Sequence, residues 1–276
     1  MRTSLSFAPE AAVPLQARRR DVDQGGRHTT RTDADMTDLF VRKLSGLDRL
    51  NDEEVQILRG LTPQARSVDA RADVIVQGSR PTSSTLLLEG LTGRYRILTD
   101  GRRQITSIDV PGDFVDLHSF PLKTMDHGVI ALSACRVATA PHAELARITE
   151  TQPHLTRLLW LTTLIDAAIH REWLVALGRM SALERMGHLF CELYMRLNAV
   201  GLADAQTHSF ALPVTQSDVG DMLGITNVHV NRTLQDMRRR NLVTWRGATV
   251  SIPDWDGLVE VARFDASYLH QEREPR

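Results

Sequence analysis

The chain is short of cysteine, of net charge and of long apolar runs, and each shortage removes a class of protein. Its 276 residues include only Cys135 and Cys191. Two thiols make neither a disulfide framework nor a four-thiolate cluster, and a reducing, cytoplasmic setting is expected. Every apolar stretch is interrupted well before the roughly 18 to 20 residues that cross a bilayer, so a soluble chain with no membrane partner is expected. The formal net charge is −1, which gives no global attraction to nucleic acid and requires any basic surface to be local. Also missing are a Gly-x-Ser-x-Gly elbow, a Gly-x-x-x-x-Gly-Lys phosphate loop and a His-Glu-x-x-His metal helix, so nothing points to an enzyme. No cofactor and no metal site is indicated.

What is present is an ordinary globular composition, 42% hydrophobic and 24% charged, long enough for one large or two modest domains. Met1 to about Asp35, with Pro9, Pro14, Gly25, Gly26 and the run Arg18 to Arg20, reads as a disordered leader; a nucleic-acid-binding arm is the alternative. From about Val68 to Ala140, short β-rich runs alternate with turn signals such as Asp100-Gly101 and Pro111-Gly112-Asp113. That pattern predicts a compact antiparallel barrel or sandwich over residues 36–150. Asn51 with Glu54 forms a capping box that opens a helix ahead of it.

Pro153 opens a longer helix, assigned to residues 151–178, with Gly178 as its stop. Leu155, Thr162, Ile169 and Ala176 recur every seven residues beside Leu158 and Ile165. Such a stripe is either one face of a core helix or a coiled-coil seam. Ser181 with Glu184 caps the next helix, and residues 179–276 read as a separate domain. That next helix carries Cys191, read as a core thiol, with redox sensitivity as the alternative.

The most informative segment follows. Thr215 caps a helix over Gln216 to Leu223, Gly224 stops it, and Thr226 caps a second helix from Asn227 to about Arg240. Val230, Leu234 and Met237 turn inward at spacings of four and three, which leaves Asn227, Val228, Asn231 and Arg232 on the outward N-terminal face. Arginine reads guanine O6 and N7, and asparagine reads adenine N6 and N7, so this face has the chemistry of a recognition helix in a major groove. His229 is placed at a base or a phosphate, and Val228 at a thymine methyl. Arg239 in the cluster Arg238 to Arg240, and Arg246 in a hairpin wing, supply phosphate contacts where Asp236 is the only acidic residue. Thr215 and Thr226 at the helix starts complete the expected DNA-binding set. The competing function is an effector-binding signalling protein whose winged helix contacts other proteins.

These residues resemble the Crp/Fnr superfamily of transcription regulators over roughly residues 39–269. The resemblance is carried by Thr215-Gln-Ser-Asp-Val-Gly-Asp-Met-Leu-Gly-Ile-Thr-Asn-Val-His-Val-Asn-Arg-Thr-Leu, by Ile252-Pro-Asp-Trp-Asp-Gly-Leu and by Pro111-Gly-Asp-Phe-Val. It implies an α+β chain with an N-terminal antiparallel β-roll, a long dimerisation helix and a C-terminal winged helix-turn-helix. It further implies a homodimer on near-palindromic double-stranded DNA, with half-sites about one helical turn apart, that contacts RNA polymerase. The dimer seam then falls to Leu155, Leu158, Thr162, Ile165, Ile169 and Ala176. Arg232 matches the family's base-reading arginine, whereas Val228 stands where glutamate is common.

The barrel departs from the family's cyclic-nucleotide binders. Those follow the turn with a Gly-Glu pair for ribose and later an Arg-Ser or Arg-Thr pair for phosphate. Here Asp116 and then His127-Gly128 occupy the region, and His127 lacks the fixed bidentate charge of arginine, so cAMP is disfavoured. Asp116, His118, Lys123 and His127 form the candidate effector cluster. No haem-attachment motif accompanies His118, His127 or His142.

Overall fold

The computed structural model describes residues 33–62 and 64–276, with side chains from Asp38 onward. Most of the expected leader therefore lies outside the described residues. Helix α1 (Asp33–Leu47), absent from the sequence-based expectation, sets Phe40, Leu44 and Leu47 into the core. Helix α2 (Asp52–Gly60) starts at the Asn51 capping box, in which Asn51 Oδ1 and the Glu54 carboxylate each accept the other's backbone N–H at 2.9 Å.

Seven strands follow: β1 (Ala65–Val68), β2 (Asp73–Ile75), β3 (Ser83–Glu89), β4 (Thr92–Ile97), β5 (Arg103–Asp109), then β6 (Gly128–Ala131) and β7 (Cys135–Pro141) beyond the short helix α3 (Ser119–Leu122). They form two antiparallel sheets, ordered β1-β7-β3 and β2-β6-β4-β5. Strand β3 is buried on both faces. Leu86 and Leu88 join the main core, and Leu87, pointing the other way, joins a second cluster with Val115, Val129 and Val137. The Asp100-Gly101 turn joins β4 to β5 with Gly101 at φ 84°, and Gly112 of the Pro111 turn sits at φ 93°.

Helix α4 (His142–Thr151) leads into α5 (Pro153–Arg179), which begins on Pro153 and passes through Gly178 to end at Met180 in extended backbone. Helix α6 (Ala182–Ala199) starts at the Ser181–Glu184 capping box. Strands β8 (Ala203–Asp204) and β9 (Ser209–Ala211) precede helices α7 (Gln216–Leu223) and α8 (Asn227–Arg239). Strands β10 (Thr244–Arg246) and β11 (Thr249–Ser251) complete a four-stranded sheet, and helix α9 (Trp255–Ala262) packs on α6. One apolar core runs from α1 through the barrel and α5 to α9, across the expected domain boundary. No described helix is long and apolar enough to cross a membrane. Cys191 is fully buried in α6, and burial raises its thiol pKa.

The heptad stripe lies inside the single chain. Leu155, Leu158, Thr162, Ile165, Ile169 and Ala176 are buried against the chain's own core rather than offered to a partner. Helix α5 carries a second stripe, Trp160, Leu164, Ala167, Arg171 and Leu174, at spacings of four and three on the opposite side. Trp160 is 65% exposed and Leu174 72% exposed. Both stripes repeat every seven residues, so periodicity alone does not say which one the chain buries itself.

Candidate nucleic-acid interface

Helix α7 begins because the Thr215 hydroxyl accepts the Asp218 N–H at 3.2 Å while the Asp218 carboxylate accepts the Thr215 N–H at 2.9 Å. It ends at Gly224, whose φ of 64° falls in the left-handed region that glycine tolerates. The connection to α8 is tight. A Cβ on Gly220 would lie 2.7 Å from the Ile225 carbonyl oxygen, so the helix crossing demands glycine there. Helix α8 starts where the Thr226 hydroxyl accepts the His229 N–H at 3.3 Å.

Val230, Leu234 and Met237 of α8 are buried with Val219 and Leu223 of α7. On the opposite side, Asn227, Val228, Asn231 and Arg232 are exposed, and Val228 is 81% exposed. Asn231 Oδ1 accepts from Gln235 Nε2 at 2.8 Å, and Asn231 Nδ2 reaches Gln216 Oε1 at 3.4 Å. Gln216 and Gln235 thus extend the polar row in both directions. The sequence reading missed them, although Gln235 lies four residues beyond Asn231 on the same face.

Arg239 and Arg240 each bridge Asp236 at 3.0 Å. Exposed pairs of this kind contribute about 1 kcal/mol or less, so a phosphate can replace the carboxylate. Arg232, Arg238 and Arg246 are exposed nearby, Arg246 at the β10–β11 turn, where Gly247 takes φ 59°. His229 is half-buried. The exposed Thr215 caps the helix, its hydroxyl donating to Asp218 at 2.6 Å and accepting from Arg71 at 3.3 Å.

The barrel holds this unit through Asp218. Arg71, in the turn before β2, donates to both Asp218 oxygens at 2.5 and 2.9 Å, and Arg103 of β5 reaches Asp218 at 2.7 Å and Asp221 at 2.7 Å. Gln104 adds a bond to the Met222 carbonyl at 3.3 Å. Burial alone would raise the Asp218 pKa, but hydrogen bonds from Arg71 and Thr215 together with the Arg71 charge bring it down to about 2. A carboxylate held below its unfolded value of 3.8 stabilises the fold above that value and loses the contribution as the pH falls towards 2. Asp218→Asn therefore destabilises the chain by about 2 kcal/mol at pH 7. The deficit shrinks towards zero near pH 2. Urea unfolding of both proteins at pH 3, 5 and 7 reads this, and a deficit independent of pH would refute it.

The four residues of the expected effector cluster lie in different settings. Asp116 is fully buried, with Oδ1 accepting the Thr85 N–H and Oδ2 accepting from Ser119 at 3.4 Å. Lys123 is exposed over the Phe120 ring. His118 and His127 do meet, with ring centroids 5.0 Å apart. Burial, the Arg94 charge and His127 lower His118 to about 4. Burial also lowers His127, against the raising effect of its hydrogen bond to Asp126.

A capped two-helix unit with a polar outer face, a basic flank and a β-hairpin wing defines a DNA-binding transcription regulator of the winged helix-turn-helix class. Comparison with known proteins agrees. Residues 184–261 match the Crp-like helix-turn-helix domain. The chain is 31% identical over 191 residues to the nitrogen fixation regulation protein FixK of Bradyrhizobium diazoefficiens, covering 67% of this chain and 73% of that protein. It is 28% identical over 234 residues to the transcriptional activator protein FnrL of Cereibacter sphaeroides, covering 83% and 92% respectively. The solved structure of FixK2 from Bradyrhizobium japonicum superposes with a TM-score of 0.66 at 24% identity, covering 74% of this chain and 98% of that one. The chain belongs to the Crp/Fnr family of transcription regulators, and its relatives are regulators rather than enzymes.

Proposed function

We propose that the chain works as a homodimer that reads a near-palindromic DNA site through paired α8 helices, in the bacterial cytoplasm. Residues 36–150 serve as the sensor region, 151–178 as the connecting helix and 179–276 as the DNA-binding region. Asn227, Val228, Asn231 and Arg232 face base edges, with Gln216 and Gln235 extending that row. Arg239, Arg246 and the N-terminal end of α8 at Thr226 hold the phosphates, and His229 backs the same face. The observation that carries this reading is the exposed row on α8, polar except for Val228, set beside exposed arginines.

The exposed stripe Trp160, Leu164 and Leu174 of α5 makes the dimer seam, because its four-and-three spacing is self-complementary between two copies. The effector is something other than cAMP, since no arginine stands at the position of His127. Relatives named as transcriptional activators support a contact with RNA polymerase.

Arg232→Ala is expected to weaken binding to the selected site by roughly 10- to 100-fold and to leave binding to random DNA unchanged. Arg239→Ala weakens both and lowers the salt slope by about one. Fluorescence anisotropy on selected and scrambled duplexes over a range of salt separates the two effects. Equal losses on both duplexes for Arg232→Ala would remove it from the base-reading set.

A further inference from the structure

We infer that His118, His127 and Asp126 form a binding site for a divalent transition-metal ion of the imidazole-preferring kind. One donor atom from each of the three residues lies within 4.8 Å of the other two. The two rings are 5.0 Å apart and tilted by 32°, and the Nε2 atom of each is buried with no hydrogen-bond partner among the described residues. Buried polar nitrogens are nearly always satisfied, so two orphans in facing rings call for a shared partner. A cation supplies one, as imidazole is the ligand that zinc, copper, nickel and ferrous iron have in common.

The supports of the site are built in. In the metal-free chain Asp126 Oδ1 lies 2.6 Å from His127 Nδ1, so the carboxylate is held beside the ring and exchanges that hydrogen bond for the ion when one binds at Nε2. The backbone at His127 is pinned because a Cβ on the next residue, Gly128, would strike the Tyr95 ring at 2.5 Å. Met125, buried at 1% exposure, anchors the loop between the two histidines. Zinc holds nitrogen at about 2.0 to 2.1 Å, so the donors must draw together. Asp126, whose side chain is 75% exposed, is free to move.

One charge opposes the ion. Arg94 is felt by both histidines, but it is paired with Asp109 at 3.0 Å and Asp166 at 2.8 Å. Three protein ligands leave coordination positions to solvent, which makes the ion exchangeable rather than structural. Arg94 also ties the barrel to α5 through Asp166, so the cation would sit beside the link between sensor and connecting helix.

The test uses untagged, full-length, metal-free protein. Zinc is titrated in competition with a chromophoric chelator, and cobalt binding is followed by its d–d absorption, for wild type, His118→Ala, His127→Ala, His118→Gln and Asp126→Asn. Wild type is expected to bind one zinc per chain at this site and to develop cobalt bands. The histidine variants lose that equivalent and the bands, and Asp126→Asn binds roughly 10-fold more weakly. Thermal melts of the metal-free proteins establish that each variant is folded, and His118→Gln keeps the ring's bulk if alanine loosens the loop. Unchanged zinc stoichiometry and affinity in folded His118→Ala and His127→Ala would overturn the site by placing zinc on other histidines. Absence of zinc binding by wild type at about 100 μM would overturn it as well.

Discussion

Leu164→Asp combined with Leu174→Asp is expected to convert the proposed homodimer to a folded monomer that has lost at least about 100-fold in affinity for a near-palindromic site. Both side chains project from α5 into solvent in the single chain, Leu164 51% and Leu174 72% exposed, so charging them breaks no intramolecular packing. In a dimer they meet their copies, and two buried carboxylates facing two others are strongly unfavourable. The affinity loss follows from valency. The second half-site is bound at an effective concentration set by the first, worth roughly 10² to 10⁴ in affinity, and a monomer forfeits it. Leu158→Asp is the control on the other stripe. Leu158 is fully buried within the chain, so that change unfolds the protein instead of dissociating it. Analytical ultracentrifugation with circular dichroism distinguishes the two, and a Leu164/Leu174 variant that stayed dimeric with full affinity would assign the seam elsewhere.

That contrast also marks where the sequence stopped being legible. Capping boxes at Asn51 and Ser181 could be read because cap and N3 partner are three residues apart, the cap at Thr215 could be read from its residue type, and each gave a helix start. Gly224 and Gly101 could be read because a positive φ favours glycine. The α8 face could be read because its inward and outward residues differ in polarity. On α5 they do not. Two apolar heptads share one helix, and the choice between them is made by α6, the barrel and the C-terminal turn, which lie elsewhere in sequence. Helix α1 had a usable signal in Phe40, Leu44 and Leu47, but its start falls in the segment read as a disordered leader. Strands β8 and β9, two and three residues long, are too short for any alternation to register.

Long-range charge pairs were beyond reach for a different reason. Arg71 and Asp218 are 147 residues apart, and neither has a neighbour that implies the other. Nothing beside Asp218 in the sequence marks its role as the barrel's handle on the DNA-binding unit. The same holds for Asp113, read as part of a turn. Its carboxylate does accept the Val110 N–H at 2.9 Å, but it also takes Lys43 at 2.5 Å and Arg196 of α6 at 2.7 Å.

Arg196→Ala consequently destabilises the whole chain by about 3 to 5 kcal/mol at pH 7, the cost of leaving buried charge unpaired. Arg196 donates to Glu192 at 3.0 Å as well as to Asp113, and Glu192 is fully buried among Trp173 Nε1 at 3.0 Å and the Tyr268 hydroxyl at 2.9 Å. Removing the guanidinium leaves Lys43 as the one cation on Asp113 and none on Glu192 among the described residues. A cavity of about 70 Å³ beside Lys43, Asp113, Asp166 and Arg196 can admit water, which moves the loss towards the lower end of the range. The pH dependence has a definite sign. Lys43 and Arg196 together hold Asp113 at about 2 against its burial, so losing Arg196 raises that pKa, and the deficit, full at neutral pH, recedes as the pH falls through the unfolded value of 3.8 towards 2. Urea unfolding at pH 3 and 7 should therefore show the larger loss at pH 7. Because the pair joins the barrel turn to α6, the loss should appear in one cooperative transition, and a separate early transition of the DNA-binding region would contradict the single core that runs through both.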